Sequence, residues 1–437
     1  MSLIMELPGI LEAGRKEYEE MKAGTYCRTE ETGDCSTGWK NIIAGADNGP
    51  FMKNLIENED MAGKIQMVYI DPPFFTKANH EAVIHVNRPG EEKGTLSAKH
   101  LAYDDHWSRG IGQYLSMLTS RLYLIRDLLA DQGTVWVHLD WHAVHYVRLL
   151  MDEIFGADHF VNEIVWTYKS GGASKKHFAR KHDTILVYSK SKKYYFQPLK
   201  EKSYNRGYKP YHFKGVEEFQ DELGWYTMVN MKDVWQIDMV GRTSRERTGY
   251  ATQKPEAILE RILESCTREG DICADFFCGS GTLAAAAQRL NRRWICCDQG
   301  KLAVSTTYRR AEETDDVHGQ GFCILTEDCS AGNLSAELKD GVITLRECDV
   351  QLDYSALEGK DLPELKSAAE TDPLLLIDSW SVDWDFDGKV HRPDIINFRK
   401  KGKLDLTAQL PADKNIRCFS IAAYDMLGGR YQTVIKL

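Results

Sequence analysis

The sequence has no long hydrophobic run, no excess of basic residues and no CxxC motif. No apolar run approaches the ~20 residues that cross a membrane, and the first residues lack a signal-peptide core, so we expect a cytoplasmic protein without a membrane contact. The net charge of -10, from 65 acidic and 55 basic residues, excludes a uniformly basic coat but not a local basic face. Eleven cysteines, an odd number, favour reduced thiols over a disulfide framework.

The composition is that of a folded, multidomain chain. Of the 437 residues, 43% are hydrophobic and 27% are charged, which excludes wholesale disorder. At roughly 100–200 residues per domain, the chain has room for two to four domains. Strand-like runs without polar alternation alternate with segments of helical periodicity, which predicts a mainly parallel, doubly wound α/β sheet covered on both faces.

The predicted elements leave a gap in the middle of this α/β pattern. Between 166 and 250 aromatic and charged residues interleave without periodicity. The predicted helices are 9–22, 111–130, 142–155, 254–266 and 282–290. The predicted strands are 41–45, 65–70, 134–139, 271–274 and 293–297, followed by 342–345, 374–377, 404–407 and 431–435.

These patterns divide the chain into five segments. An α/β domain at 41–165 is interrupted by an insertion at 166–250 and resumes at 251–318. An N-terminal extension of 1–40 precedes it, and a β-rich domain of 319–437 follows it.

One chemically informative motif is Asp71-Pro72-Pro73-Phe74, directly after the predicted strand 65–70. The two prolines stiffen an extended turn, which would hold the Asp71 carboxylate and the Pro72 carbonyl in one direction beside the Phe74 ring. Two acceptors and an aromatic face form a receptor for a planar amine. The alternative is a strand-terminating turn in which Asp71 acts only as a cap.

A second motif is Phe277-Cys278-Gly279-Ser280-Gly281-Thr282, between a predicted strand and a predicted helix. Glycines there let a ligand approach the backbone, and a helix N-terminus offers free N–H groups. Asp298 ends the next predicted strand, where a carboxylate can accept the hydroxyls of a ribose. With no GxGxxG motif, the pattern favours a ligand with a ribose but no pyrophosphate, or else a tight turn without a ligand.

Together these motifs resemble the amino-methylating DNA methyltransferases that use S-adenosylmethionine and carry the catalytic motif before the cofactor motif. The resemblance is strongest to modification subunits of type III restriction systems. It implies a Rossmann-like methyltransferase fold. The matching text lies within 41–310: Asp71 to Phe74, 103–107, 117–122, 138–140, 152–156, 246–250, 252–255 and 275–282.

The resemblance implies roles residue by residue. The catalytic residues would be Asp71, Pro72, Pro73 and Phe74. The residues around S-adenosylmethionine would be Asp47, Asp71, Lys254, Pro255, Asp275, Phe277, Cys278, Gly279, Ser280, Gly281, Thr282 and Asp298. Phe74 stands where the family commonly has Tyr, and Phe276 stands where Pro is usual.

The resemblance also implies the reaction and its partners. Asp rather than Ser before the two prolines favours the adenine N6 amino group over the cytosine N4 amino group. The target base of double-stranded DNA would flip into the site. A cytosine-N4 methyltransferase and a catalytically inactive DNA-recognition subunit are the alternatives. Further partners would be a restriction subunit with nuclease or helicase activity, or a second copy of the chain.

The insertion carries the local basic face. Residues 166–200 hold nine Lys or Arg residues and one acid, Asp183, and seven aromatic residues are interleaved with them. Bases neutralise phosphates and aromatic rings stack on bases, so this segment is typical of a DNA-binding surface. A solvated charged face is the alternative. The predicted DNA-binding residues are Lys169, Lys175, Lys176, Arg180, Lys181, Arg242 and Arg245.

Three histidines suggest a metal, but the pattern does not support one. His142 and His145 share a helical face, yet neither an acid nor a Cys completes a plausible set of ligands, so no metal site is predicted. His138 is expected at a strand end near the cofactor. The 321–437 region is acidic, which argues against its being the main DNA surface.

Overall fold

The computed structural model describes residues 3–33, 38–75, 79–87, 95–105, 107–108, 110–170, 175–314, 321–350, 352, 354–400, 402–412 and 416–437. His106 of the 103–107 motif and the predicted boundary at 318 lie outside these residues.

The helices of the described chain are α1 (Leu3–Glu20), α2 (Asn48–Glu57), α3 (Ile111–Leu128), α4 (Val144–Met151), α5 (Glu256–Cys266), α6 (Thr282–Arg289), α7 (Lys301–Glu313) and α8 (Leu362–Thr371). The first strands are β1 (Cys27–Glu31), β2 (Asn41–Gly45), β3 (Ile65–Ile70), β4 (Asn79–Asn87), β5 (Thr95–Asp104), β6 (Leu129–Leu139), β7 (Phe160–Thr167) and β8 (His182–Ser189).

The remaining strands are β9 (Lys200–Tyr204), β10 (Phe219–Asp221), β11 (Gly224–Asn230), β12 (Val234–Gln236), β13 (Ile272–Asp275), β14 (Arg293–Asp298), β15 (Phe322–Thr326), β16 (Gly332–Lys339), β17 (Val342–Cys348), β18 (Leu357–Glu358), β19 (Ile377–Asp383), β20 (Ile395–Phe398), β21 (Thr407–Gln409), β22 (Cys418–Asp425) and β23 (Arg430–Lys436).

The centre of the fold is a ten-stranded sheet in the order β1-β15-β2-β14-β13-β3-β6-β8-β7-β12. The six strands from β15 to β6 run parallel to one another. β1 is antiparallel at one edge, and β8 is antiparallel to both of its neighbours. The predicted α/β class with a mainly parallel sheet is confirmed.

Both faces of this sheet are buried, which explains why its strands show no polar alternation. Successive residues of a strand point to opposite faces. In β13, Ala274 packs in the core with α2 and α3, whereas Cys273 packs with α5 and α6 in the other core. Ile295 and Cys296 of β14 divide in the same way. These buried cysteines behave as small apolar residues, as the sequence predicts.

The predicted segments differ from the observed sheet in three places. The N-terminal extension is part of the fold, because β1 pairs with β15 and α1 packs on α3. β15 belongs to the central sheet although it follows the predicted boundary. In the insertion, β8 and β12 join the same sheet, and only β9 to β11 form a separate three-stranded sheet. These pairings join residues far apart in the chain, so local patterns do not reveal them.

The C-terminal region is β-rich, with a seven-stranded sheet in the order β20-β19-β22-β23-β16-β17-β21. The strand predicted at 374–377 is wrong: Pro373–Leu376 is a 3₁₀ helix, and β19 begins only at Ile377. The Asp372 side chain accepts a hydrogen bond from the Leu374 N–H. Such local capping, together with a proline at the first turn, outweighs the apolar character of the run.

Two further features were not predicted. β4 and β5 form a hairpin between the Asp71 motif and α3, and β18 of the C-terminal region pairs with β5. The expectation of reduced thiols is wrong for Cys27 and Cys329, which form a disulfide with their Cα atoms 5.8 Å apart. The pairing of β1 with β15 brings these cysteines together across 302 residues of chain.

No helix in the described part of the chain has the length and hydropathy needed to cross a membrane.

Candidate active site

The predicted site residues follow four neighbouring parallel strands at the same edge of the sheet. The order β2-β14-β13-β3 is continuous. Asp298 ends β14, Asp275 ends β13, and Asp71 directly follows β3. The register pairs Asp275 with both Cys296 and Tyr69. Adjacent strands lie ~4.8 Å apart, so the Asp71 turn and the glycine turn are neighbours at the carboxyl edge, where such sheets bind ligands.

A cavity of about 500 Å³ lies between these turns. Ten of the twelve predicted cofactor residues line it, as do Pro72, Pro73 and Phe74. Pro255 and Gly281 do not line it: each caps the N-terminus of a helix, α5 and α6 respectively. The volume is in the range of sites for small organic ligands. The other lining residues are Ala46, Asn48, Tyr69, Trp107, Met117, Arg121, Tyr250, Thr252, Phe276, Gln299 and Gly300.

Asp71 presents one engaged and one free oxygen to the site. Its Oδ2 contacts Lys254 Nζ, and the two side chains are 16% and 12% exposed. Its Oδ1 is buried and has no hydrogen-bond partner among the described residues. Lys254 Nζ also lies 5.1 Å from the centroid of the Phe74 ring. A buried acceptor without a partner is costly, which favours a hydrogen-bond donor entering the cavity at this point.

A buried polar network supports Phe74 from behind. The His138 ring stacks on Phe74 with centroids 5.9 Å apart and is fully buried. Its Nδ1 lies 2.8 Å from Tyr69 Oη, and its Nε2 lies 3.4 Å from Asp183 Oδ2. Burial opposes the charge of Asp183, but the adjacent His138 and the nearby Lys254 lower its pKa overall. His138 lies near the end of β6, as expected, and contacts the cavity-lining residues Tyr69 and Phe74. Its nearness to the cofactor stays a prediction.

The chain turns sharply after Phe74. Phe75 has φ 61°, a left-handed conformation that is unfavourable for a bulky side chain. The fully buried Asp105 accepts a hydrogen bond from the Phe75 N–H at 3.2 Å and another from Trp107 Nε1 at 3.1 Å. Asp105 therefore fixes this turn. The sequence places Asp105 in a family motif but does not indicate this contact, which spans 30 residues.

The glycine turn is organised by backbone N–H groups. Asp298 Oδ2 accepts from the Gly279 N–H at 3.0 Å, and Oδ1 accepts from the Gly300 N–H at 2.9 Å. Burial raises the pKa of Asp298 in spite of these donors. Asp275 accepts from the Phe277 N–H at 2.9 Å. Burial, with Asp71 nearby, raises the pKa of Asp275 well above its ordinary value.

Gly281 is required by its surroundings. Its φ is 69°, and a Cβ atom there would lie 2.7 Å from Thr307 Oγ1 of α7. Gly279 has φ 48°, and a Cβ atom there would meet the Tyr250 ring at 3.3 Å. The two glycines thus bring the turn against α7 on one side and against Tyr250 on the other, where a ligand can approach the backbone.

Asp47 is anchored at the far end of the cavity. Its side chain caps α2 by accepting from the Gly49 N–H, and its Oδ1 lies 3.0 Å from Arg121 Nη2. Arg121 is buried and also contacts Glu17 of α1. The Asn48 amide donates to the Phe276 carbonyl at 2.8 Å. Sequence reasoning missed Arg121, whose only signal was its position in the 117–122 motif.

The predicted DNA-binding residues fall in two places. Lys169, Lys175, Lys176, Arg180 and Lys181 lie between β7 and β8, on the carboxyl side of the sheet. Arg242 and Arg245 are exposed in the segment before Tyr250. Arg245 lines a second cavity of about 670 Å³. No group of three His, Cys, Asp or Glu side chains in the described chain is placed to hold a metal ion.

The fold and the site define a class of protein. It is a Rossmann-like α/β protein with a ligand cavity at the carboxyl edge, built from a proline-stiffened turn and a glycine turn. Residues 65–309, more than half of the chain, match the DNA methylase family model that covers N6 and N4 amino methylation. The chain belongs to this family of S-adenosylmethionine-dependent DNA methylases.

Individual relatives are more distant. The chain is 29% identical over 307 residues to the type II methyltransferase M.EcaI of Enterobacter cloacae, covering 56% of this chain and 64% of that protein. It is 26% identical over 287 residues to the type II methyltransferase M2.DpnII of Streptococcus pneumoniae, covering 64% and 92%. The particular likeness to type III subunits stays a prediction.

Solved structures are similar at lower identity. The M1.HpyAVI–SAM complex is 18% identical with a TM-score of 0.39, covering 62% of this chain and 98% of that one. The PvuII cytosine-N4-specific DNA methyltransferase is 14% identical with a TM-score of 0.41, covering 64% and 89%.

Proposed function

We propose that this protein transfers a methyl group from S-adenosylmethionine to the N6 amino group of a flipped-out adenine in double-stranded DNA, within a restriction–modification system. The observation that carries the proposal is the shared cavity. It has the glycine turn on one side and, on the other, the buried Oδ1 of Asp71, which no described residue engages in a hydrogen bond.

The residues of the glycine turn fit S-adenosylmethionine. Asp298 is held by two backbone N–H groups at the end of β14, in the place where a carboxylate accepts ribose hydroxyls. Asp47 and Asn48 line the far end of the cavity, where we place the adenine of the cofactor. Asp275 and Lys254 would lie along the methionine portion. When bound, the cofactor supplies an electrophilic methyl group on its sulfonium.

The Asp71 turn would hold the target base. Phe74 offers a ring face for stacking, and His138 fixes that ring from behind. Asp71 Oδ1 and the Pro72 carbonyl would accept the two N6 hydrogens. These hydrogen bonds draw the nitrogen lone pair out of conjugation and aim it across the cavity. Lys254 holds Asp71 Oδ2 and leaves Oδ1 to the substrate, so positioning and preorganised acceptors supply the catalysis.

Adenine N6 is preferred because Asp, not Ser, precedes the two prolines. Both amino groups can donate two hydrogens to the same acceptors, so cytosine N4 is the second candidate. A catalytically inactive recognition subunit is disfavoured, because Asp71 and Gly279 line one cavity and Gly281 is present in the same glycine turn. A nuclease subunit and a second copy of the chain stay predicted partners.

The test is to incubate the purified protein with unmethylated DNA and methyl-labelled S-adenosylmethionine, and then to identify the labelled nucleoside. We expect N6-methyladenine. Labelled N4-methylcytosine would support the second candidate instead. Bound cofactor without any labelled nucleoside, on DNA of all sequence contexts, would support the inactive subunit. Sequencing of modified bases in DNA from cells that express the protein then gives the recognition sequence.

A further inference from the structure

We propose that Phe178 enters the DNA duplex and fills the space that the flipped-out base leaves. This inference rests on the proposed function, because it needs a target base that leaves the stack. It names one side chain of the β7–β8 connection for a step that the cavity residues cannot perform, since they hold the base only after it has left.

Phe178 is exposed to an unusual degree. Its side chain is 98% exposed, whereas Phe213 is 61% and Phe196 is 47% exposed. In the described chain its ring makes no aromatic or cation–π contact, and only its backbone carbonyl is engaged, by His177 Nδ1 at 2.9 Å. A phenyl ring exposed to water is less favourable than a buried one. Single exposed rings occur on many protein surfaces, so the location of Phe178 and the charge around it carry the inference.

The position of Phe178 matches the site. β3, β6 and β8 are neighbours in the sheet, and β8 is antiparallel to β6. β8 therefore begins at the edge where β3 ends in the Asp71 turn. Two strand spacings separate them, roughly 10 Å. Phe178 precedes the first residue of β8 by only four positions, so it lies within reach of a duplex whose base enters the Asp71 turn.

The residues that follow Phe178 are anchored to neighbouring elements. Lys181 Nζ donates to the Ser170 carbonyl at 2.8 Å, across the two ends of the connection. The Arg180 guanidinium lies 3.9 Å from the centroid of Trp141, which directly follows β6 and Asp140. Trp141 packs against His142 at 3.6 Å between ring centroids. Phe178 therefore precedes two residues, Arg180 and Lys181, whose side chains are held by contacts with other parts of the fold.

The surrounding charge suits a duplex. Lys175, Lys176, Arg180 and Lys181 flank Phe178, and residues 175–181 contain no acid. Cations bind phosphates, whereas a ring among them has no use in phosphate binding. Inside a duplex the ring can stack on the bases beside the vacated position, which offsets part of the cost of flipping.

The experiment compares F178A with F196A on two DNA substrates. Phe196 is a partly exposed Phe beyond the end of β8, at the opposite edge of the sheet from the cavity. One duplex carries the target adenine paired with thymine. The other carries it opposite an abasic position, where flipping costs less. The readout is kcat/KM for methyl transfer. Both duplexes carry the recognition sequence that the sequencing of modified bases provides.

We expect F178A to lose about tenfold to a hundredfold in kcat/KM on the paired duplex, the size of one base–aromatic stacking contact. On the abasic duplex the loss should shrink to about threefold or less. F178W should retain most of the activity, and cofactor binding should match that of the wild type.

The inference is overturned if F178A equals F196A on paired DNA, or if F178A loses equally on both substrates. Failure of the proposed function looks different, because the wild type itself would then methylate neither substrate. Cofactor affinity, measured by titration, separates a folding defect of F178A from a flipping defect.

Discussion

The two turns that face each other across the cavity are built in different ways. The glycine turn is local: Asp275, Gly279 and Asp298 lie within two consecutive strand–turn units and are joined by backbone hydrogen bonds. The Asp71 turn depends on remote side chains. Lys254 is 183 residues away, and Asp105 and His138 come from other elements. A ligand-binding turn such as the glycine turn can form from residues close in sequence. The orientation of the Asp71 carboxylate, in contrast, requires contacts from several elements.

Asp71→Asn should have the largest effect on methyl transfer, because it changes the Asp71 turn and leaves the glycine turn unchanged. An amide keeps only one acceptor oxygen, so it cannot both hold Lys254 and accept a hydrogen from N6, and its NH2 group would face one of these two donors. Methyl transfer should fall by about 100-fold to 1,000-fold or more. Cofactor affinity should change far less, because the glycine turn stays intact. Asp158→Asn, at a side chain that is 84% exposed, is the matched control. A fully active Asp71→Asn variant would refute the role of Asp71.

Gly281→Ala tests the local turn by sterics. The new Cβ would meet Thr307 in a left-handed conformation, which should lower the free energy of unfolding by about 2–4 kcal/mol. Gly207→Ala is the control, since Gly207 has φ 70° but no described residue places an atom within 4 Å of the added Cβ. Gly207→Ala should cost only about 1 kcal/mol. Denaturant titration measures both, and equal losses would show that Thr307 yields without cost.

Asp298 offers a test by pH. An ordinary aspartate stays ionised down to about pH 4, but burial raises the pKa of Asp298, so it takes up a proton at higher pH. The protonated group accepts ribose hydroxyls less well. Affinity for S-adenosylmethionine should therefore fall as the pH is lowered through this raised pKa. The neighbouring Asp275, whose pKa is also raised, adds to the effect.

The control for this pH dependence is Asp298→Asn. It should bind the cofactor about tenfold more weakly at neutral pH, the loss of one charge-assisted hydrogen bond. Its affinity should also vary less with pH, with only the contribution of Asp275 remaining. An unchanged pH profile in Asp298→Asn would assign the effect to Asp275 or another group.

The smallest expected effect is on DNA binding by the basic residues of the β7–β8 connection. Changing Lys175, Lys176 and Lys181 together to Ala should weaken DNA binding and reduce the slope of log K against log salt by about 2 to 3. Arg242→Ala and Arg245→Ala, in the other group, show whether that segment also contacts phosphates. If the slope of the triple variant equals that of the wild type, the phosphates lie elsewhere.

Local patterns predicted the inner part of the fold well. The strands at β2, β3, β13 and β14 and the helices α3, α5 and α6 lie within a few residues of their predicted bounds. Continuous apolar runs and turn signals identify such elements because both faces of the sheet are buried. The edges were predicted less well. β1, β12 and β15 are short strands whose pairing comes from distant segments, and the hairpin of β4 and β5 was missed.

For the site, the residue types in each turn were readable from the sequence, because each motif lies within a few residues. The sequence also implied the methylase family and its cofactor. The roles of the individual site residues and the choice of adenine over cytosine stay predictions. The contacts of Asp105, Arg121 and Asp183 could not be predicted, since their partners are 30, 74 and 45 residues away.

The sequence alone determined the two turns, the family and the α/β class, because apolar strands, prolines and glycines act on the chain within a few residues. Only the tertiary structure decided that β3 and β13 are neighbours, that Lys254 occupies one oxygen of Asp71, and that Phe178 stands exposed near the same edge. The physical reason is that strand order and side-chain burial arise from packing the whole chain, which no local pattern specifies.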